Sequence, residues 1–407
     1  MLSTIEFIHN TGRYRMKDRE KARVFQEIAM TALSSRKSIA VKTKIRPMTV
    51  SAAVQELIDD NLVVECGNSE KEGRGRPEVF LEVNHNRLVA VSMHVQARQL
   101  LTSVVNMKEE PICEHTEQLD HSISNEDFIE ACYRSFDEVK QQLPPESEIL
   151  GIGVSLIGTV ASSSSIWISA ARWRNIKNLD FSALQTKVGI PVSITRVQDA
   201  ELVHFIQKHP AYSDKNIVFV HWGFGIGASY AHKGRILGST IGRFCEVGHT
   251  RISMKHDKIC QCGAIGCLET EAALWAISSD LKGVLSGSLT EEQHVANAMK
   301  DMNLSEHPAI LKALDYVNLA ILNLHQVFYP DTLIIIGPFV ENEELFNSMR
   351  DFFYEHIPDY ARDGVEFRHI SGGFKGCMPG SVYPFFKKRL KALLTFSTAE
   401  SHGTPHV

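Results

Sequence analysis

One stretch constrains the fold of this 407-residue chain more than any other. Glu246-Val247-Gly248-His249 is followed, ten residues on, by Cys260-Gln261-Cys262-Gly263-Ala264-Ile265-Gly266-Cys267-Leu268-Glu269. An imidazole and three thiols in that order make a Cys3His set. Zn2+ is satisfied by four soft or borderline ligands in a tetrahedron, so His249, Cys260, Cys262 and Cys267 read as a structural zinc site. Gly263 and Gly266 let the backbone turn back, so that Cys267 reaches a metal already held by Cys260 and Cys262. The spacing argues against unrelated buried thiols. A knot that fixes His249 also holds Glu246 and Glu269 on one wall of a cleft.

The Gly-His pair and the Cys-x-Cys-Gly-x-x-Gly-Cys-Leu-Glu run together resemble the signature of the ROK family, which holds bacterial sugar kinases and sugar-responsive repressors. The resemblance implies that Glu246, His249 and Glu269 contact a sugar, whose hydroxyls suit carboxylate and imidazole edges.

The length predicts two or three domains. A hydrophobic content of 43% with 22% charged residues is that of a soluble globular protein. The net charge of −5 argues against a nucleic-acid coat. The charge is unevenly spread, however: residues 1–85 carry a small excess of Lys and Arg, and the remainder a larger acidic excess. A mildly basic head on an acidic body fits a small DNA-binding module joined to something else. Apart from the three thiols of the knot, the cysteines are scattered without a framework. Neither a signal peptide nor an apolar run long enough for a membrane span is expected, and the cytoplasm is the natural setting.

In the head, apolar residues from Asp18 to Leu33 recur at helical spacing. A second helix fits Arg36 to Thr43, and Pro47 suits the first turn of a third, running to about Asp60. That third helix buries Val50, Val54, Leu57 and Ile58 and turns Thr49, Ser51, Ala52 and Gln55 outward. Two helices joined by a short turn, the second carrying small polar residues, form a helix-turn-helix. Leu62–Glu65 and Val79–Val83 read as strands flanking a glycine-rich wing, Lys71-Glu72-Gly73-Arg74-Gly75-Arg76-Pro77. Arg74 and Arg76 are spaced to enter a minor groove, and Thr49, Ser51 and Gln55 to read base edges. The Gly-Arg-Pro ending, Ser35-Arg36 and Thr49-Val50-Ser51 resemble the head of ROK repressors. Ala52 departs from the basic residue common at that place.

Residues 86–395 form the body, and 396–407 a tail. Leu88–Met93 and Leu100–Val105 alternate as a hairpin would. A helix is expected at Glu126–Gln142. Strands are expected at Ile149–Ser155, Val192–Thr195, Ile217–Val220 and Leu333–Ile336. Strands alternating with helices indicate α/β layers. Their order resembles the two-lobed, actin-like ATPase fold of sugar kinases.

Phosphoryl transfer needs two phosphate cradles, a metal-binding acid and a base. Asp199 occupies the place of the family's base, and Gly223, Gly225 and Gly227 keep part of one cradle. The family's opening Asp-x-Gly-Gly-Thr turn reads Ser92-Met93-His94-Val95-Gln96 here, with side chains where bare backbone is needed. Gly337-Pro338-Phe339 likewise replaces a glycine-rich run. The chain is therefore expected not to be an enzyme. The resemblance keeps Asp199, Glu246, His249 and Glu269 as effector-binding residues. Gln198 replaces the usual Asn, and Ala170-Ala171-Arg172-Trp173 lacks the usual Asn, so a polyol or altered sugar is expected. Arg172 reads as a surface arginine, with contact to a phosphate or carboxylate as the alternative. The whole reads as a transcriptional repressor with a winged helix-turn-helix head. Its partners are double-stranded operator DNA, a sugar and a second copy of itself, as a dimer or dimer of dimers. A sugar kinase with a DNA-binding head and a module for docking a sugar-transport protein are the rival readings.

Overall fold

The body is built around two five-stranded sheets with the same strand order. The structure is a computed structural model that describes residues 14–68, 78–96, 98–238, 244–252, 258–281, 291–303, 307–371 and 376–395, with residues 5, 8, 10 and 12. The wing residues Arg74 and Arg76 and the tail lie outside the described residues.

The head holds α1 (Met16–Met30), β1 (Ser34–Ser35), α2 (Arg36–Thr43), α3 (Pro47–Asp59), β2 (Val63–Asn68) and β3 (Val79–Val83). Ser35 starts α2 by a capping box with Ser38, and Lys44 ends it in the left-handed region at φ 59°. Pro47 occupies the first turn of α3, as its missing N–H predicts. Val50, Ala53, Val54 and Leu57 give α3 its buried face, and Ile58 is only half-buried.

The first lobe of the body follows. Its elements are β4 (Leu88–Gln96), β5 (Gln99–Asn106), β6 (Pro111–Gln118), α4 (Asn125–Lys140), β7 (Glu148–Leu156), β8 (Thr159–Ala161), β9 (Ile166–Ala170), β10 (Trp173–Asp180), α5 (Ser182–Val188), β11 (Val192–Arg196) and α6 (Val197–Lys208). Its main sheet runs β11-β7-β4-β5-β6. Strand β4 is central and buried on both faces from Leu88 to Val95, which suits a strand covered by helices on both sides. A small sheet, β10-β9-β8, carries Trp167 and Trp173 into the same core.

The second lobe repeats the plan. Its elements are β12 (Ile217–Trp222), β13 (Ile226–His232), β14 (Arg235–Ile236), α7 (Glu269–Ala272), α8 (Leu274–Ile277), α9 (Glu292–Lys300), α10 (Pro308–Phe328), β15 (Thr332–Ile336), α11 (Glu343–His356), α12 (Asp359–Arg362) and β16 (Glu366–His369). The sheet order is β14-β13-β12-β15-β16, with β12 and β15 wholly buried and parallel.

The chain then returns to the first lobe as α13 (Cys377–Leu394). This helix lies against α6 and β7 with almost no side-chain layer between. A Cβ at Gly380 would stand 1.9 Å from the Ala200 carbonyl oxygen, and one at Gly153 would stand 2.5 Å from that of Ser381. Farther along, Val382, Phe386, Leu390 and Leu394 enter the apolar core of the head with Ala22, Phe25, Ile28 and Leu57. One helix therefore touches both the cleft-side helix α6 and the head.

Candidate functional site

The cysteine loop is shaped by its glycines. Gly263 at φ 86° and Gly266 at φ 75° lie in the left-handed region and reverse the chain twice. Short bridges pair Ile259 with Ile265 and Arg251 with Cys267. The ligand atoms of His249, Cys260, Cys262 and Cys267 all fall within 4.8 Å of one another. His249 Nδ1 is 3.6 Å from Cys260 Sγ, and the sulfurs of Cys262 and Cys267 are 3.7 Å apart. Zinc–sulfur bonds of about 2.3 Å and zinc–nitrogen bonds of about 2.0–2.1 Å give tetrahedral edges of about 3.6 and about 3.8 Å. A disulfide would need about 2.05 Å. The donors therefore fit a tetrahedral metal ion. Arg251 Nη1 lies 2.9 Å from Cys267 Sγ, placed to offset thiolate charge. Burial pushes the Cys260 thiol up to about 12, so a metal must displace its proton on binding.

With Nδ1 turned to the cysteines, the other ring nitrogen of His249 is left for the cleft. Nε2 faces Glu246 Oε2 at 3.9 Å. Gly248 permits this turn, since a Cβ there would stand 2.2 Å from the Ile226 carbonyl oxygen. Glu269 is held by the Ile226 N–H at 2.8 Å on one oxygen and by Trp275 Nε1 at 3.3 Å on the other. Glu246, His249 and Glu269 all line one cavity of about 510 Å³ between the lobes. That volume is in the range of small-molecule sites, about 300–1,000 Å³.

Asp199 departs from expectation. It is not among the residues lining the cavity; Arg196 and Gln198 stand there instead. Arg196 grips both carboxylate oxygens of Asp199, Nε to Oδ2 at 2.9 Å and Nη2 to Oδ1 at 2.8 Å. Ser229 Oγ donates to Oδ1 at 2.6 Å, and Arg196 Nη1 donates to the Phe244 carbonyl at 2.7 Å. Burial works against the Arg196 charge, but Asp199 outweighs it and raises the guanidinium. The acid expected to meet a ligand is thus turned to an arginine, which the sequence reading overlooked. Gln198 borders the cavity as its extra length predicts, close beside Gly227.

The place of the missing phosphate turn is occupied by strand. His94, Val95 and Gln96, the end of β4, line the cavity. His94 Nδ1 pairs with Ser155 Oγ at 3.2 Å. Burial pulls His94 down to about 4, against smaller opposing effects of Ser155 and Glu292, so its ring is neutral.

Of the other lining residues, Glu292 carried no signal in the sequence, whereas Arg172 was open to two readings. Arg172 is half-buried rather than a surface residue, its guanidinium carbon 3.2 Å from the centroid of the Phe224 ring. Glu292 accepts from His221 Nε2 at 2.8 Å and from the Phe224 N–H at 2.6 Å. Burial opposes its charge, but His221, the Phe224 N–H and Arg172 together hold its carboxyl below the ordinary range. An acid on the face of an amphipathic helix gives no warning of such a place.

In the head, Ser51, Ala52 and Gln55 are exposed on α3, Thr49 is half-buried, and Met48 stands out at 86% exposure. The Gln55 amide donates to Asp59 at 2.9 Å. Among the described residues, no helix is long and apolar enough to cross a membrane.

Comparisons with known proteins agree with this geometry. A profile of the ROK family matches residues 102–382. The xylose repressor of Caldicellulosiruptor bescii is 25% identical over 339 residues, spanning 79% of this chain and 83% of that one. A crystal structure of a ROK family transcriptional regulator, a homologue of the E. coli Mlc protein, superposes with a TM-score of 0.69 at 24% identity, covering 93% of this chain and 98% of that chain. A ROK family glucokinase from Streptomyces griseus, solved with glucose and AMPPNP, superposes at 0.58 and 16% identity over 73% of this chain and 98% of its own. The body has the actin-like sugar-kinase fold, and the chain belongs to the ROK family.

Proposed function

We propose that the chain is a DNA-binding transcriptional regulator, a repressor of carbohydrate uptake or metabolism genes, controlled by a sugar or sugar derivative in the cleft. The observation that carries the reading is the pairing of a kept wall with a lost cradle. Glu246, His249 and Glu269 line the cavity, while the end of β4 fills the phosphate place with His94, Val95 and Gln96. A site of this kind can hold a polyol without handling a nucleotide. Similarity to named repressors points the same way.

In this reading residues 1–85 are a winged helix-turn-helix head and 86–395 the effector and dimerisation body. The ion of the Cys3His set is zinc. It supplies rigidity and no reaction, since four protein ligands leave no open position for water. His249 Nδ1 is then a metal ligand, and Nε2 is oriented toward Glu246 and the sugar. Thr49, Ser51 and Gln55 read base edges, and Arg74 and Arg76 enter the flanking minor groove. Two copies pair through the body and read two half-sites. A sugar that favours the closed cleft shifts the heads only by its differential affinity for the two states.

The test is selection of genomic fragments on the purified protein, followed by elution with a panel of sugars. Specific fragments retained and then released by one sugar class support the reading. Retention without release by any sugar favours docking of a sugar-transport protein, and no retention overturns the repressor assignment. Steady ATP consumption with any sugar of the panel would return the body to the kinases.

A further inference from the structure

The wall that suits hydroxyls leaves the cationic side of the cavity unexplained. Arg172 lies in the turn joining β9 to β10, in the first lobe, and stacks across the cleft on Phe224 of the second. A guanidinium stacked on a ring keeps its N–H groups pointing outward in its own plane, so stacking and hydrogen bonding do not compete. Nη2 nevertheless has no hydrogen-bond partner among the described residues and is closed off from solvent. Burial draws Arg172 down to about 10, partly opposed by the charge of Glu292. That carboxylate does not neutralise it by contact. Both Glu292 oxygens are committed, one to His221 and one to the Phe224 N–H. Arg196 also borders the cavity, but its guanidinium is taken by Asp199 and the Phe244 carbonyl. Arg174, exposed, borders it as well. The stack thus holds a charged, incompletely satisfied fork at a cavity whose other wall is acidic.

We infer that Arg172 forms an anion subsite, so the ligand is a polyol bearing a phosphate or carboxylate. Its hydroxyls lie against Glu246, His249 and Glu269 and its anionic oxygens against Arg172, with Arg174 adding charge. A rotation of the guanidinium in the plane of the stack offers two N–H groups to one anion, the fork geometry that phosphates and carboxylates match. The inference rests on the reading of the cleft as a sugar sensor and narrows it to acidic sugar derivatives. It also gives the ligand a reason to close the cleft, because Arg172 and Phe224 belong to opposite lobes.

Isothermal titration of the full-length, zinc-loaded protein with matched sets of ligands tests this. The sets are glucose, glucose 6-phosphate and glucuronate, and xylose, xylose 5-phosphate and xylonate. In the set that fits, an anionic member should bind about 10- to 100-fold tighter than its neutral parent, the gain of a charge-assisted pair. The phosphate and carboxylate arms tell the two sources of charge apart. R172Q should bring the members of that set within about threefold of one another. R172K, which keeps the charge and loses the fork, should leave an intermediate preference, and serves if R172Q does not fold. A neutral sugar that binds at least as tightly as both of its anionic partners overturns the subsite while the sensor reading stands. So does an R172Q protein that keeps the full preference. Failure of every member of both sets to bind would count against the sensor reading and take the subsite with it.

Discussion

Lys21 of α1 donates from Nζ to the main-chain carbonyl of Leu393, in the last turn of α13, at 3.0 Å. The same ammonium pairs with Asp60 at 3.1 Å and Glu56 at 3.4 Å, and Lys21 is buried. Helix ends leave carbonyls without partners and favour a nearby cation, so one side chain closes α13 and ties it to the head. K21M should cost about 1–3 kcal/mol by leaving those acceptors unpaired. Chemical denaturation measures the loss, and hydrogen exchange should locate it in α1 and the end of α13. Unchanged protection at both places would mean the tie carries no load.

The metal prediction is stoichiometric. Purified protein should hold about one zinc per chain, and C260S or C262S should lose it along with stability and response to sugar. Elemental analysis showing far less than one zinc per chain would refute the assignment.

Glu201 gives a pH dependence with a definite sign. It is buried in α6 and accepts from the Cys377 N–H at 2.7 Å, at the start of α13. Burial, only partly offset by the Cys377 and Gly376 N–H groups, raises its carboxyl from 4.5 to about 8. The folded chain therefore keeps a proton that the unfolded chain has lost between these values. Its contribution to stability is full below the unfolded value, falls as pH rises toward about 8 and then levels off. The slope is at most about 1.4 kcal/mol per pH unit. E201Q should flatten that part of the stability profile, read from melting temperatures across the range. A profile as steep as that of the parent would show that Glu201 does not titrate there.

Glu246 and Asp199 should behave differently when neutralised. E246Q removes a charge from the cavity wall. It should weaken sugar binding about tenfold or more and move the sugar dose that releases DNA by the same factor, as linkage requires. D199N strikes the partner of a shielded arginine, so its first effect is a stability loss of up to about 3 kcal/mol. Titration calorimetry and melting curves on both variants separate the roles. Equal effects on sugar affinity with no loss of stability in D199N would restore Asp199 to the ligand.

The head should bind DNA through two separable terms. Replacing Arg74 and Arg76 by alanine should weaken binding at all sites and make the dependence of log K on log salt shallower by about 1.8, the loss of two phosphate-like contacts. Changes at Thr49, Ser51 or Gln55 should instead alter which site is preferred. An unchanged salt slope after the double arginine change would refute the wing assignment.

What was legible in the sequence had local causes. Arg36–Thr43 and Val79–Val83 have the bounds read from the sequence, and the cysteine cluster follows from ligand spacing alone. The body's kinship to sugar kinases was legible from motifs, but the repeated strand order was not, because β14 is two residues long and gives no pattern. Helix α13 was missed because Gly380 and Pro384 read as breakers, whereas packing against α6 and the head holds the helix together. The pairing of Asp199 was missed because its partner, Arg196, lies one turn earlier and is recognisable only by its reach. Phe224 stacks on Arg172, and Glu292 acts on its charge from a distance, only once the lobes are assembled, and no short-range pattern encodes that.

The near-contact of Gly380 with Ala200 sets the character of any signal that passes from cleft to head. Side-chain layers cushion most helix pairs, so that one helix can creep past another in small steps. Here backbone rests on backbone, and there is no cushion to absorb a small displacement. The pair acts as a strut. A strut either stays or goes, so the response of the head should be a change in how many molecules have switched, not in how far each has moved.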